Sequence, residues 1–240
     1  RLFWETKLSL LKEKEIFFAQ AYMQKSYSQL NLVVEESPFK SPIQVILVLG
    51  ESTTTHYMHG YGYPLPTTPR LDSLESLGEI VRFSDVVSPA ASTILSNTRS
   101  LTYYTMEEGG KSWYEYPTLL GVMRKAGYYT AWLTAQDAMG MHSMVSTFGK
   151  SADTLLGIPG TIPEEISEYY GASLPPRLDD QLFDLLLTMK DIPQEKGALG
   201  LFEVLHLMGC HEMYRERYPS TFARFTPKDL PHRLGGEKDV

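Results

Sequence analysis

Cysteine is almost missing from this chain. Cys210 stands alone among 240 residues, so no disulfide can close within it. Long apolar runs are missing as well: no stretch reaches the roughly 18 consecutive apolar residues that a membrane-crossing helix requires. Positive charge is in short supply, since 22 Lys and Arg against 29 Asp and Glu leave a net charge of −7. That balance argues against nucleic acid as a partner, because phosphate backbones are gripped by basic surfaces. It does not exclude a small anionic substrate, because a bound metal can supply positive charge locally. No secretory signal follows Arg1, and the chain opens without methionine, which leads us to expect that upstream sequence has been removed. What is present is a 42% hydrophobic, 12% aromatic composition, enough to bury a sizeable core.

The chain is organised around residues 45–74, VILVLGESTTTHYMHGYGYPLPTTPRLDSL. Residues 45–49 form a β-branched and leucine run of the kind that makes a strand buried on both faces. Gly50 breaks it and Glu51 follows, which puts a carboxylate at the carboxyl end of a strand, where open α/β sheets place their chemistry. Four hydroxyl residues, Ser52 to Thr55, lead to His56, a Tyr-Gly-Tyr-Pro turn and a short helix over 70–77.

Upstream, residues 1–30 carry apolar residues at helical spacing between lysines and glutamates. That aromatic-rich helix could pack on the following domain or lie at a membrane interface. A linker over 35–42 separates it from the first strand. Downstream, 80–87 reads as a second apolar strand, and 93–104 as a helix with Ser92 as its candidate N-cap. Thr93 thus stands in the first helical turn, where the dipole and unpaired N–H groups favour anionic oxygen. A helix over 117–126 closed by Gly127 and a strand over 128–133 give a β-α-β rhythm and imply a parallel sheet. Residues 136–148 read as a loop and helix beside the active face, and 155–174 as a surface excursion. Residues 178–189 form an amphipathic helix with an aspartate pair at its start. A third strand over 201–207 delivers His206 and, just past Gly209, His211.

Several strings in this sequence resemble bacterial phosphoethanolamine transferases of the lipopolysaccharide-core-modifying type, in the alkaline phosphatase and sulfatase superfamily. They are the strand followed by Gly-Glu-Ser, Tyr-Gly-Tyr, Thr-Thr-Pro-Arg-Leu, Phe-Ser-Asp-Val-Val-Ser-Pro before Ser-Thr-Ile, Lys-Ala-Gly-Tyr, Trp-Leu-Thr, and Leu-His-Leu-Met-Gly-Cys-His. The resemblance covers residues 41–226. It implies an α/β fold with a mostly parallel sheet flanked by helices, of which residues 41–240 would be the N-terminal half. Residues 1–40 would be a membrane-proximal helical linker, preceded by transmembrane helices outside this chain.

The resemblance also implies roles. Glu51 becomes a zinc ligand. Thr93, 42 residues further on, becomes both a zinc ligand and the nucleophile. A free threonine hydroxyl is a poor nucleophile, and a bound cation makes its alkoxide accessible near neutral pH. His211 would help to hold phosphoethanolamine or a second metal, with His206 nearby. The implied donor is phosphatidylethanolamine and the implied acceptor is lipopolysaccharide, at its core or lipid A. The implied location is the Gram-negative inner membrane, with the catalytic domain in the periplasm. Departures exist: Thr55-His56 and Leu65 stand where the group commonly has arginine, and the downstream Asp-His-Gly motif that completes the zinc site does not occur. The alternatives are a sulfatase-like phosphodiesterase or hydrolase that passes the group to water, and a truncated non-catalytic fragment.

Overall fold

The protein is represented by a computed structural model. It describes residues 18–19, 21–23, 27, 30–33, 39–105, 110–136, 144–158, 178–211 and 214–229, with 144–146 and 227 described by backbone alone. Much of the expected 1–30 helix, the loop after residue 136 and the 155–174 excursion lie outside the described residues.

Four parallel strands form one sheet in the order β1, β4, β2, β3. They are β1 (Ile43–Leu49), β2 (Tyr128–Thr134), β3 (Thr154–Gly157) and β4 (Gly200–His206). Besides the helical residues 18–19, 21–23 and 27, the helices among the described residues include α1 (Pro69–Ser76), α2 (Thr93–Leu101), α3 (Leu119–Lys125), α4 (Met144–Gly149), α5 (Gln181–Met189) and α6 (Ile192–Lys196). The parallel sheet flanked by helices expected from the sequence is therefore present. Every residue of β4 is buried, as a central strand covered on both faces must be. Leu49, His206 and Thr134 share one register line. The carboxyl ends of β1, β4 and β2 thus finish side by side, and the residues just beyond them emerge at one edge.

One face of the sheet packs Leu47, Phe202, Val204 and Trp132 against Trp113, Leu120 and Phe148. Ala19 and Met23 are buried in the same cluster, and the Arg124 guanidinium lies over the Tyr27 ring at 4.7 Å. The described part of the N-terminal segment thus packs on the domain. On the other face, Leu133, Leu201 and Leu205 meet Leu182 and Met189. Gly127 ends α3 with φ 91°, the left-handed conformation its position after the helix requires.

Three expectations are corrected. β1 is not buried on both faces: its burial alternates, and Ile46 and Val48 are 41% and 56% exposed. It is an edge strand, and α5 and α6 cover β2 and β4 on that side. Residues 80–87 form no strand, and Val87 is 84% exposed. They find no backbone ladder; side chains fasten them instead, through an Arg82–Glu75 ion pair at 3.0 Å and the Tyr61 hydroxyl donating to the Phe83 carbonyl. Finally, Thr154–Gly157 pairs with β2 as a short strand rather than opening a surface excursion.

Candidate active site

Glu51 leaves the end of β1 through an unusual backbone. Ser52, the next residue, has φ 50°, and positive φ is uncommon for any residue but glycine. Strain of this kind, adjacent to a buried carboxylate, is typical of functional sites. The turn carries Glu51 back over the sheet end, where it is 7% exposed. Its oxygens collect donors from three parts of the chain. The Ser52 hydroxyl donates to Oε1 at 2.9 Å, and Gln136 Nε2 to Oε2 at 3.2 Å. The Thr93 hydroxyl lies 3.2 and 3.0 Å from Oε1 and Oε2.

Thr93 opens α2 as the sequence suggests. Ser92 occupies the N-cap position with extended backbone, but its side chain makes no capping hydrogen bond. The first turn is therefore not closed by its own cap, and its N–H groups remain suited to an anionic oxygen. Thr98, further along the helix, is buried, and its hydroxyl donates back to the Ile94 carbonyl. The helix thus separates two threonines, one spent on its own backbone and one turned onto Glu51.

Gln136 stands just beyond β2, and its amide also donates to the Leu207 carbonyl at 2.9 Å. One side chain so links the ends of β1, β4 and β2. His206 is 1% exposed, with Nδ1 3.2 Å from the Thr134 hydroxyl and its ring against Trp132. His211 follows the turn after β4, and its Nδ1 is buried without a hydrogen-bond partner among the described residues. Glu51, Ser52, Ser92, Thr93, Asn97 and His206 all line one cavity of about 430 Å³. In that cavity Asn97 Nδ2 is a buried donor without a partner among the described residues.

The electrostatics follow from this geometry. Burial alone would raise the Glu51 pKa, but hydrogen bonds from Ser52, Gln136 and Thr93, with the pull of His211, bring it below the usual carboxylate value. Glu51 is an anion at neutral pH. Burial drives His206 the other way, down to about 4, although the Glu51 charge opposes it. His206 is a neutral imidazole there.

The oxygens of Glu51 and Thr93 can be tested as zinc ligands. Their 3.0 and 3.2 Å separations match the edge of a tetrahedron with oxygen ligands at about 2.0 Å, so this pair fits one corner-sharing cation. Among the described residues no group of three or more His, Cys, Asp or Glu side chains is placed to hold a metal.

The sequence singled out Glu51, Thr93, His206 and His211. The structure brings Thr93 onto Glu51, places His206 in the wall of the same cavity, and puts His211 close enough to act on the Glu51 charge. It adds Ser52, Asn97 and Gln136. Gln136 carried the same signal as Glu51, a polar residue just past the carboxyl end of a buried strand.

Comparison with known proteins places the chain in a family. Residues 44–233 match the Sulfatase family. Phosphoethanolamine transferase CptA of Salmonella typhimurium is 32% identical over 191 residues, covering 78% of this chain and 30% of that protein. Phosphoethanolamine transferase EptC of Escherichia coli K12 is 31% identical over 186 residues, covering 77% of this chain and 30% of EptC. The crystal structure of the C-terminal periplasmic domain of Escherichia coli EptC in complex with zinc superposes with a TM-score of 0.67 at 26% identity. That match covers 84% of this chain and 53% of the domain. The chain thus spans about a third of the curated relatives it matches. From its fold and its match over most of its length, the chain belongs to the Sulfatase family, among relatives named phosphoethanolamine transferases.

Proposed function

We propose that this chain supplies the nucleophile half of a phosphoethanolamine transferase. The observation that carries this reading is the Thr93 hydroxyl in the first turn of α2, held 3.0 Å from a buried, ionised Glu51 at a polar cavity. The donor is phosphatidylethanolamine and the acceptor a hydroxyl or phosphate of lipopolysaccharide, in its core or lipid A. The catalytic domain works in the periplasm, on the face of the Gram-negative inner membrane. No helix among the described residues is long and apolar enough to cross a membrane. Relatives named for this activity and a relative's domain crystallised with zinc support the reading.

Thr93 Oγ attacks phosphorus, the bond from phosphorus to the diacylglycerol oxygen breaks, and diacylglycerol leaves as the alcohol with one proton. Phosphoethanolamine is left on Thr93. An acceptor oxygen then attacks the same phosphorus, and Thr93 leaves with its hydroxyl restored. Glu51 holds and orients the Thr93 proton; with its pKa lowered it is a fixed anion rather than a strong base. The first turn of α2, Asn97 and His211 offer donors to the phosphoryl oxygens. His206, neutral, forms the wall. Zinc, held by Glu51 and Thr93 with further ligands, would offset phosphoryl charge and favour the deprotonated hydroxyl.

The test is to incubate the intact protein with phosphatidylethanolamine and map adducts by mass spectrometry. A phosphoethanolamine adduct is expected on the peptide containing Thr93, absent in Thr93→Ala and kept in Thr98→Ala. Thr93→Ser should retain part of the activity, since a primary alcohol can occupy the same place. Release of phosphoethanolamine to water without transfer would replace this reading by a hydrolase. Full turnover by Thr93→Ala would remove the nucleophile assignment.

A further inference from the structure

We propose that Asp179, which lies outside the cavity, is a positioning residue for this site. Its carboxylate shapes the turn after β4 against Glu51. Oδ1 accepts from the Met208 N–H at 2.7 Å and Oδ2 from the Gly209 N–H at 2.9 Å. Two successive backbone donors are thus fastened by one side chain, with charge-assisted bonds that are shorter and stronger than neutral ones. What they fasten is pressed onto Glu51. Gly209 has φ 48°, and a Cβ there would stand 3.0 Å from the Glu51 carbonyl oxygen and 3.3 Å from its nitrogen. The next amide, of Cys210, donates to that same carbonyl at 3.0 Å. The turn then closes as the His211 N–H donates to the Met208 carbonyl at 3.1 Å, which sets where His211 begins.

An aspartate just before a helix is usually a cap. Here the side chain is spent on the β4 turn, and α5 takes only the Asp179 backbone, whose carbonyl accepts from the Leu182 N–H at 3.1 Å. Asp180, its exposed neighbour at the N-cap position, makes no side-chain cap bond. The pair therefore divides: Asp180 is solvated, and Asp179 reaches from one helix start to the end of another element. Removing one of its oxygens as an acceptor frees one N–H, and the turn loses the constraint that seats Glu51.

This inference rests on the reading of Glu51 and His211 as site residues, and the experiment separates the two. Asp179→Asn, Asp179→Ala and the control Asp180→Asn are made in the intact protein. Hydrogen exchange is followed on the peptide covering residues 207–211, zinc affinity by chelator competition, and kcat and KM with phosphatidylethanolamine. In Asp179→Asn, exchange in 207–211 should quicken, zinc affinity and kcat should each fall about tenfold, and KM should stay within about twofold. Asp179→Ala should lose more, and Asp180→Asn should match wild type in every readout. Unchanged protection of 207–211 in Asp179→Asn overturns the clamp. Quickened exchange with wild-type kcat and zinc affinity, or a lowered melting temperature alone, overturns the positioning role. A wild-type protein that transfers nothing removes the proposed function, while the exchange and zinc readouts still decide the clamp.

Discussion

Glu51 just beyond β1 and Glu203 within β4 belong to neighbouring hydrogen-bonded strands of one sheet and are 7% and 0% exposed. Burial penalises the charge of both, yet they end as opposite acids. Glu51 stands past the end of its strand, where Ser52, Thr93 and Gln136 reach it from three directions, and its pKa is lowered. Glu203 stands mid-strand, where its one donor is Gln44 at 2.6 Å and its Oε1 is buried without a partner among the described residues. Burial dominates and raises its pKa. The pleat explains the difference. In the middle of a sheet a side chain meets mostly neighbouring strands, which core formation makes largely apolar; at the carboxyl end, loops from several strands converge with polar groups.

The largest expected effect comes from breaking the rich end of this comparison. Glu51→Gln keeps the shape but removes the anion, and transferase activity of the intact protein should fall by about 10³ or more, roughly 4 kcal/mol. A variant within tenfold of wild type would show that the crowd of donors around Glu51 serves packing alone.

Next in size is a pH effect at the same strand ends. His206 titrates at about 4 when folded and near 6.5 when unfolded. The unfolded chain therefore binds the extra proton first as pH falls. The stability from keeping His206 neutral is full above about pH 6.5 and is lost progressively down to about 4, an effect of about 3 kcal/mol. Denaturant melts at pH 7 and pH 4 should show that loss in wild type and a shallower one in His206→Phe. Equal slopes would mean that His206 is not held neutral.

Gln136→Ala sharpens the comparison by taking one donor from Glu51 and leaving the rest. Zinc affinity should drop about tenfold, as removal of a hydrogen-bond partner of a metal ligand typically does. Chelator competition reads it directly, and an unchanged affinity would assign Gln136 to holding Leu207 alone.

The smallest effect belongs to the poor end. Because the folded pKa of Glu203 is raised, its contribution to stability is full below the unfolded carboxyl value and lost as pH rises through the folded one. Glu203→Gln, a mimic of the neutral acid, should stabilise at pH 7 and leave stability unchanged at pH 4. A destabilised variant at pH 7 would show that the charge of Glu203 is wanted in place.

The sequence by itself determined the strand that leads into Gly50-Glu51, the helix that starts at Thr93, the β-α-β rhythm and the two histidines at and beyond the end of the last strand, because periodicity and helix-start chemistry are local properties. It misjudged β1 and residues 80–87 for a common reason. An apolar run tells that a segment can be a strand, but whether it is central, at an edge or unpaired depends on ladders supplied by distant residues. Only the tertiary structure decided who surrounds Glu51: Thr93 and Gln136 lie 42 and 85 positions away in the chain. Only it gave Ser52 its positive φ and sent Asp179 to amides 29 and 30 residues on. Hydrogen bonds to a carboxylate need donors within about 3 Å, and chain order carries no such distance until the sheet brings its strand ends level.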